Sequence, residues 1–543
     1  MARRVNNLLV LTVLAAALPA AEAAIIAGVG FQAARGLPSQ ASAVWPYDSY
    51  HDLRWLLVYH RSILEFVLAY LVVAAVRGAL TAVLIYFSWP ERFGRPSVAN
   101  LFRRNLVVAL LVMAVIMPWA TISIAFSVVS LSWLLIASLL PMIVISPFLL
   151  RAAVAQEWWR GLPTLAQYGW TTLNVVVITA AGAIMTAVPA WWSLPVAALA
   201  GAGNGLLWRR SVAVALEPVN PRWRRLPVAP VVGVLVLITP TTLLNVPGIL
   251  DGPAWRPPIL EQPLPEDVPQ AVIVIAGHDS EYRGEPSADP RVERYSYEGL
   301  DSKEAPLPYR PEATHQSLDV SAVRLASHVD SLHRRTRLPI ALVGQSEGAL
   351  VARTYLEKWP ASPVTDAVLL SPLVMPGRAY YTPPHTTEGW GVVTGYAMRA
   401  VFQLWFLGDE ARGHPDEPFV RSIIIDAPFY RNRILCPVAG IRVIAFLPTV
   451  SAIEAPPGEF TQVPTVQSPA FHAGLFGSQD IHQLIINFLQ GEEIQGRRRE
   501  YAILQHLGAA WQPPPLALSL NPIWSASIEG DPAFSGKVCQ ERN

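Results

Sequence analysis

The chain has 543 residues, of which 52% are hydrophobic and 15% charged, whereas about 25% of residues are charged in an average soluble protein. The deficit lies in residues 1–250, which are mostly apolar, while the rest has an ordinary globular composition. The net charge is +1, which gives no reason to expect a nucleic-acid partner.

The sequence contains two cysteines, Cys436 and Cys539. It has no Cys-x-x-Cys pair and no local Cys/His cluster, so we expect no zinc site, no other metal and no cofactor. In an oxidising compartment the two cysteines would be able to form a disulfide that holds the tail to the domain. Two independent thiols agree equally well with the sequence.

Apolar segments recur along residues 1–250, and most are close to the roughly 20 residues that a helix needs to cross a bilayer. They are 8–30, 62–88, 105–128, 130–150, 170–190, 192–208 and 227–248. We therefore predict a multi-pass α-helical transmembrane domain of about seven helices over residues 1–250.

Arginines between these segments predict how the domain is oriented. One set of loops is rich in them: Arg3, Arg4, Arg92, Arg95, Arg103, Arg104, Arg151, Arg160, Arg209, Arg210, Arg222, Arg224 and Arg225. The alternate loops hold only Arg35, Arg54 and Arg61. Because basic residues accumulate in cytoplasmic loops, the N-terminus is predicted inside the cell and the C-terminal half outside. The first segment also resembles a cleavable signal peptide, but its apolar run continues to residue 31, which favours an uncleaved anchor.

Few ionisable residues lie at membrane depth, chiefly Glu65 and Arg77 in the second segment. Such charges are candidates for a transport pathway. The two residues are twelve positions apart and do not share a turn of the helix. We therefore favour a partner for each across the bundle, or a position near a membrane interface.

After residue 250 the composition changes. Residues 251–270 contain six prolines and predict a stiff, extended linker. Beyond it, short apolar runs alternate with helical patterns, which predicts a mostly parallel sheet with helices on both faces over residues 271–495. The predicted strands are 271–276, 294–297, 340–343, 367–370 and 441–446, and the predicted helices are 315–335, 348–358 and 479–489. Residues 496–543 are interpreted as a tail that lies along this domain, with a helix near 500–511.

One motif in this domain carries chemistry. Gly344-Gln345-Ser346-Glu347-Gly348 follows a predicted strand and precedes a predicted helix. In such a turn the serine hydroxyl projects above the sheet, and the glycines leave room where strand and helix nearly touch. The helix N-terminus also favours negative charge that develops near the serine.

With this motif, residues 271–495 resemble serine esterases and lipases of the α/β-hydrolase fold. The resemblance implies Ser346 as nucleophile, followed in the chain by an acid and a histidine. His472, in a loop before the last helix, would be the general base, and His482 within that helix is the less favoured alternative. Oxyanion stabilisation would come from the backbone N–H groups of Glu347 and His278.

The acid is the least defined member. It would follow the strand at 441–446, where Glu454 is the nearest carboxylate. Asp409 and Asp426 precede that strand and would require a migrated acid. A dyad without an acid is a further alternative, because loss of the orienting group slows a triad without abolishing it.

A long insertion, about residues 372–440, separates two predicted strands that ordinarily would be joined by roughly 2–6 residues. It carries apolar side chains that an active-site lid could present to a lipophilic substrate: Trp390, Tyr396, Met398, Phe402, Trp405 and Phe406. Packing of these rings against the sheet is the alternative. We expect a membrane-anchored, extracytoplasmic serine hydrolase that cleaves esters of lipophilic acyl groups.

Two other functions remain open at this point. An acyltransferase would use the same serine, histidine and oxyanion site to pass the acyl group to a lipid or sugar hydroxyl. A sensor or transporter with a degenerate hydrolase domain would use none of them. Because one helix would suffice as a tether, we also hypothesise that the membrane half presents, binds or moves a hydrophobic substrate.

Overall fold

The structure of the protein is a computed structural model. It describes residues 2–130, 135–218, 225–244, 257–374, 376–406, 414–425, 435–449, 463–470, 472, 474–495 and 502–516.

The N-terminal half is helical, and each predicted apolar segment coincides with a helix. The helices are α1 (Ala2–Gly28), α2 (Tyr47–Val58), α3 (Ile63–Ser88), α4 (Val98–Val128), α5 (Leu135–Val154), α6 (Leu165–Ala187), α7 (Ser193–Ala215) and α8 (Val228–Leu244). Helix α2 was not predicted, because its polar residues interrupt the apolar pattern.

Four of the described helices are long and apolar enough to cross a membrane: Asn7–Gly28 of α1, Ile63–Ser88, Val98–Val128 and Leu165–Ala187. They indicate that the protein is associated with a membrane. The larger count of seven crossings and the side on which the C-terminal half lies stay predictions.

Side-chain caps define where several of these helices begin. The Ser62 hydroxyl accepts a hydrogen bond from the Glu65 N–H at the start of α3. Thr164 and Gln167 form a reciprocal capping box at the start of α6. Such caps satisfy N–H groups that have no partner within the helix.

Small residues allow α1 and α7 to pack closely. A Cβ added to Gly201 would lie 2.2 Å from the Ala15 carbonyl oxygen, so only glycine fits there. Gly205 lies one turn further along and also faces α1. A pair of glycines four residues apart is a common device for close contact between membrane helices.

The charge on Arg77 is paired, as one of the two interpretations expected. Its Nη2 lies 2.6 Å from Asp52 Oδ1, and its Nη1 lies 3.5 Å from Asp48 Oδ2. His51 extends the cluster by bridging Asp52 and Glu22 at 3.0 and 2.9 Å. Glu65 accepts a hydrogen bond from the Arg61 backbone N–H at 2.7 Å.

The C-terminal half contains a six-stranded parallel sheet of order β2-β1-β3-β4-β5-β6. Its strands are β1 (Ala271–Ile275), β2 (Val292–Arg294), β3 (Ile340–Gln345), β4 (Val364–Leu370), β5 (Arg442–Pro448) and β6 (Thr465–Ser468). Its helices are α9 (Pro258–Glu261), α10 (Leu318–Thr336), α11 (Glu347–Lys358), α12 (Val392–Trp405), α13 (Pro418–Ile425), α14 (Gln479–Leu489) and α15 (Ala502–Ala509).

Both faces of the sheet are covered, which explains why its strands read as continuous apolar runs. Ile273 and its neighbours at alternate positions join the core beneath α10 and α11. Val272 and Val274 point the other way and pack with residues of α14. The weak strand predicted at 294–297 lies earlier, at 292–294, and β6 was not identified in the sequence.

The insertion predicted as a lid is in contact with the helical half. The Gly391 N–H donates to the His60 carbonyl oxygen at 3.0 Å, and the Val393 N–H donates to His60 Nε2 at 2.9 Å. Trp405 of α12 packs on Trp119 of α4 with ring centroids 5.4 Å apart. The alternative of packing against the sheet therefore does not hold for Trp405, which packs on α4 instead.

The described part of the tail contacts the helical half, which was not predicted. Helix α15 packs on α6, and Gln40 Nε2 donates to the Ala510 carbonyl oxygen at 2.6 Å. The Tyr59 hydroxyl donates to the Pro515 carbonyl oxygen at 2.7 Å. Residues 502–516 also contact the α/β domain, because Arg378 Nε of the insertion donates to the Pro513 carbonyl oxygen at 2.9 Å, so the predicted strap along that domain describes only part of their contacts. Cys436 is disulfide-bonded, and Cys539 lies outside the described residues.

Candidate active site

Ser346 occupies a strained turn between β3 and α11. Its φ and ψ are 53° and −114°, a conformation that residues other than glycine rarely adopt. The Ser346 N–H donates to the Leu370 carbonyl oxygen at 2.9 Å, which anchors the turn to β4. Such strain persists only where the surrounding structure enforces it, and it is concentrated at functional sites.

The glycines of the motif are required by the packing around this turn. A Cβ on Gly344 would lie 2.4 Å from the Gly348 carbonyl oxygen, and a Cβ on Gly348 would lie 2.4 Å from the Ile275 carbonyl oxygen. Both clashes involve backbone, which cannot move aside as a flexible side chain can. The motif therefore brings α11 into contact with β1 and β3.

His472 lies between β6 and α14, with its Nε2 2.9 Å from Ser346 Oγ. The Ser371 hydroxyl donates to the His472 carbonyl oxygen at 2.6 Å and so holds this loop against the end of β4. Burial lowers the pKa of His472 to about 4. At neutral pH the imidazole is therefore uncharged and able to accept the serine proton.

The other ring nitrogen, His472 Nδ1, is buried and has no hydrogen-bond partner among the described residues. The predicted acid Glu454 lies outside the described residues, as do the alternatives Asp409 and Asp426. Glu454 belongs to the connection between β5 and β6, and its role stays a prediction. His482, the alternative base, is within α14, and no described contact links it to Ser346.

The two backbone groups predicted to stabilise an oxyanion flank Ser346. Glu347 follows it in the chain, and the loop after β1 passes so close that a Cβ on Gly277 would lie 3.1 Å from Ser346 Cβ. His278 is the next residue of that loop. Within the described part of the chain, neither the His278 nor the Glu347 N–H donates to another backbone group.

The side chains of these two residues begin a buried charge network that the sequence did not indicate. Glu347 is fully buried, and its Oε2 accepts a hydrogen bond from His278 Nδ1 at 3.0 Å. On its other side, His278 Nε2 lies 3.2 Å from Glu417 Oε1. His315 completes the network, with Nε2 2.7 Å from Asp279 Oδ1 and Nδ1 3.6 Å from Glu417 Oε2.

The carboxylates decide the charge of the two histidines. Burial lowers the pKa of His278, but hydrogen bonds to Glu347 and Glu417 outweigh burial and hold it well above its usual value. The hydrogen bond to Asp279 raises the pKa of His315. His315 and Glu417 were missed in the sequence because they are 37 and 139 positions from His278 and share no motif with it.

A cavity of about 200 Å³ opens beside Ser346. The end of α4, its following residue and the insertion form most of its wall. Its lining residues are Ala125, Phe126, Val128, Val129, His278, Ser346, Leu373, Tyr381, Met398, Phe402, His414, Pro415, Glu417, Phe419 and Val420. A helix long enough to cross a membrane therefore ends in the wall of the cavity that holds the candidate nucleophile.

Comparison of the chain with known protein families, with curated proteins and with solved structures finds no match.

Proposed function

We propose that the protein is a membrane-anchored serine hydrolase that cleaves carboxylic esters of lipophilic acyl groups through an acyl-enzyme on Ser346. The observation that carries the proposal is the 2.9 Å contact between His472 Nε2 and Ser346 Oγ, with the serine on a strained strand-to-helix turn. A serine hydroxyl is a weak nucleophile, and an adjacent neutral imidazole is the usual means of activating it.

The order of elements supports an α/β-hydrolase arrangement. The nucleophile follows β3 in the middle of a parallel sheet, and the histidine follows the last strand, β6. The connection after β5, which contains Glu454, is where the resemblance expects the acid. The His278 and Glu347 N–H groups would bind the oxyanion of the tetrahedral intermediate.

In the proposed reaction, His472 Nε2 takes the proton of Ser346 Oγ as the oxygen attacks the ester carbonyl carbon. The protonated imidazole then gives this proton to the leaving alcohol, and the acyl group remains on Ser346. Water attacks the acyl-enzyme with His472 again acting as base, which releases the carboxylic acid and restores the serine.

The cavity supports a lipophilic acyl group as the substrate. Its wall is mostly apolar, with Phe126, Met398 and Phe402 among its larger side chains. Its volume of about 200 Å³ is below the ~300–1,000 Å³ of sites for drug-sized ligands, which favours short or medium acyl chains.

The orientation is part of the proposal. The arginine-rich loops would be cytoplasmic and the sheet domain extracytoplasmic. Alkaline phosphatase, which is active only outside the cytoplasm, is expected to be active when fused after residue 262 and inactive when fused after residue 94. The reverse pattern would refute this orientation.

A fluorophosphonate probe, which reacts with activated serines, tests the proposal directly. We expect the full-length protein to be labelled and Ser346→Ala to be unlabelled, with His472→Ala strongly reduced. Ser362→Ala is the matched control and should leave labelling intact. The Ser362 hydroxyl lies 2.7 Å from the Tyr355 hydroxyl, and Ser362 precedes β4, at the opposite end of the sheet from Ser346. A folded wild-type protein that is not labelled, or labelling that survives Ser346→Ala, would overturn the proposal.

A further inference from the structure

Next to the candidate nucleophile, two histidines and a glutamate converge. His278, His315 and Glu417 each offer one ligand atom, and these atoms all lie within 4.8 Å of one another. Glu417 is only 7% exposed, so its carboxylate has little access to water. A partner for this carboxylate must therefore come from the protein or from a bound ion.

The outer hydrogen bonds orient both imidazoles toward Glu417. His278 donates through Nδ1 to Glu347 at 3.0 Å, which leaves Nε2 facing Glu417 Oε1 at 3.2 Å. His315 donates through Nε2 to Asp279 at 2.7 Å, which leaves Nδ1 facing Glu417 Oε2 at 3.6 Å. Metal-binding histidines characteristically donate their other N–H to a carboxylate in this way, because that fixes the tautomer and raises the basicity of the ligand.

Each inward nitrogen of a neutral imidazole carries a lone pair, and a lone pair beside a carboxylate oxygen is repulsive. A positive charge must therefore lie between them, either as protons or as a metal ion. The 3.6 Å separation at His315 is too long for a hydrogen bond. Glu417 Oε2 is moreover buried with no hydrogen-bond partner in the described structure. Both features lie on the His315 side of Glu417, where they favour a bound cation over a proton on the imidazole.

We propose that His278, His315 and Glu417 bind one divalent transition-metal ion of the zinc class. Two imidazoles and one carboxylate form a ligand set that suits zinc, with bonds of about 2.0–2.2 Å that draw the three groups slightly closer. Calcium and magnesium prefer all-oxygen sites and are not expected to bind here.

The site would leave a coordination position open toward the substrate. His278 and Glu417 line the same cavity as Ser346, so a ligand at the fourth position lies in the space that the substrate would occupy. Zinc with three protein ligands commonly retains such a position for water or substrate. Metal binding goes beyond the proposed hydrolase function and does not depend on it.

Zinc binding by the full-length protein in detergent tests the proposal. The protein is stripped with a chelator, equilibrated with Zn²⁺ or Ca²⁺, passed over a desalting column and analysed for bound metal. We expect about one zinc per chain, no retained calcium, and no retained zinc in His315→Gln. His482→Gln is the matched control, because this histidine of α14 makes no described contact with the three ligands and its replacement should leave zinc binding unchanged.

Further variants separate ligand loss from misfolding and from loss of the nucleophile. Asp279→Asn keeps all three ligands and is expected to weaken zinc binding by roughly 10–100-fold, as for other outer carboxylates. Ser346→Ala should bind zinc like the wild type even though it is inactive. The visible absorption of bound Co²⁺ should indicate a tetrahedral site in the wild type and be lost in His315→Gln. The proposal is overturned if wild type retains no zinc, or if His315→Gln and His482→Gln retain it equally.

Discussion

The protonation of His472 depends on what its buried Nδ1 contacts. Burial alone lowers its pKa to about 4, and none of the described residues is bonded to Nδ1. A carboxylate at this nitrogen would stabilise the imidazolium and raise the pKa, which is the role proposed for Glu454. The base acts only when it is neutral, so activity is lost as the pH falls through this pKa.

We therefore expect the acid limb of the pH profile of kcat/KM to shift to lower pH when Glu454 is replaced. In Glu454→Gln the limb should lie near pH 4, and in the wild type it should lie at higher pH. The variant should also have a kcat about 10⁴-fold lower than the wild type, as when other triads lose their acid. Asp409→Asn and Asp426→Asn are matched controls and should resemble the wild type. If Glu454→Gln changes neither the limb nor kcat, the protein uses another acid or a dyad.

Gly348 determines how closely α11 approaches β1. A methyl group at this position would lie 2.4 Å from the Ile275 carbonyl oxygen and 2.8 Å from that of Ala276. Gly348→Ala is expected to destabilise the protein by about 1–3 kcal/mol through overpacking and to displace the Ser346 turn.

Thermal unfolding in detergent measures the cost of this substitution. Gly477→Ala is the matched control in the same domain, since a Cβ there meets nothing within 4 Å. An equal unfolding midpoint for the two variants would show that α11 does not approach β1 as closely as described.

At the scale of elements, the described tail is a structural part of the helical half. Trp511 is 4% exposed, and its Nε1 donates to Thr179 Oγ1 of α6 at 2.8 Å. Its carbonyl oxygen accepts a hydrogen bond from buried Arg54 of α2 at 2.5 Å. The last described residues thus bind α2 and α6 of the helical half.

Trp511→Ala is expected to destabilise the helical half by about 3–5 kcal/mol, the usual cost of removing a large buried aromatic side chain. Trp191→Ala provides the comparison, because that ring is 65% exposed and its loss should change stability by no more than about 0.5 kcal/mol. Unfolding midpoints in detergent would distinguish the two. Equal midpoints would mean that the tail does not support α2 and α6.

The sequence predicts features that depend on neighbouring residues and misses contacts between residues that are far apart in the chain. Apolar runs identified β1 and the helices near 62–88 and 479–489 to within a residue or two, because burial and periodicity are local properties. The contact of Trp405 with Trp119 joins residues 286 positions apart, and no local pattern encodes it. The contacts of His315 with Glu417 and of Gln40 with Ala510 are of the same kind.

For the candidate site, the motif around Ser346 was predictable from local signals, and the position of His472 from the resemblance that the motif carries. The Ser346–His472 pair is brought together in the structure, while the roles assigned to Glu454 and to the His278 and Glu347 amides remain predictions. The side-chain network was not foreseen. The sequence gives a reason to single out the Glu347 amide but none to single out its carboxylate, because the contact with His278 joins residues 69 positions apart.

At the scale of the whole molecule, the two halves share one apolar core. Tyr381, Met398 and Ile424 of the insertion belong to the same buried cluster as residues of α2, α3 and α4. The Gly377 N–H donates to the Val128 carbonyl oxygen at 2.6 Å, directly at the end of α4. The helical half is thus continuous with the wall of the candidate active site. A helical half that served only as a tether would not need this contact.

This continuity predicts that a change in α4 alters substrate choice without touching Ser346 or His472. Ala125→Trp would fill the cavity from its α4 side, because Ala125 lies in its wall. We expect kcat/KM for butanoyl and longer esters to fall at least about 10-fold, the order that one poorly accommodated methylene group costs in an apolar pocket. Acetyl esters should be affected less, because their acyl group needs little of the space.

Val107→Trp is the matched control, since this residue of α4 is 64% exposed and lies away from the cavity. It should leave the acyl-chain profile unchanged. Fluorophosphonate labelling of Ser346 in both variants would show that the candidate catalytic residues remain intact. If Ala125→Trp lowered activity equally for all chain lengths, or if both tryptophans gave the wild-type profile, the acyl group would not lie against α4.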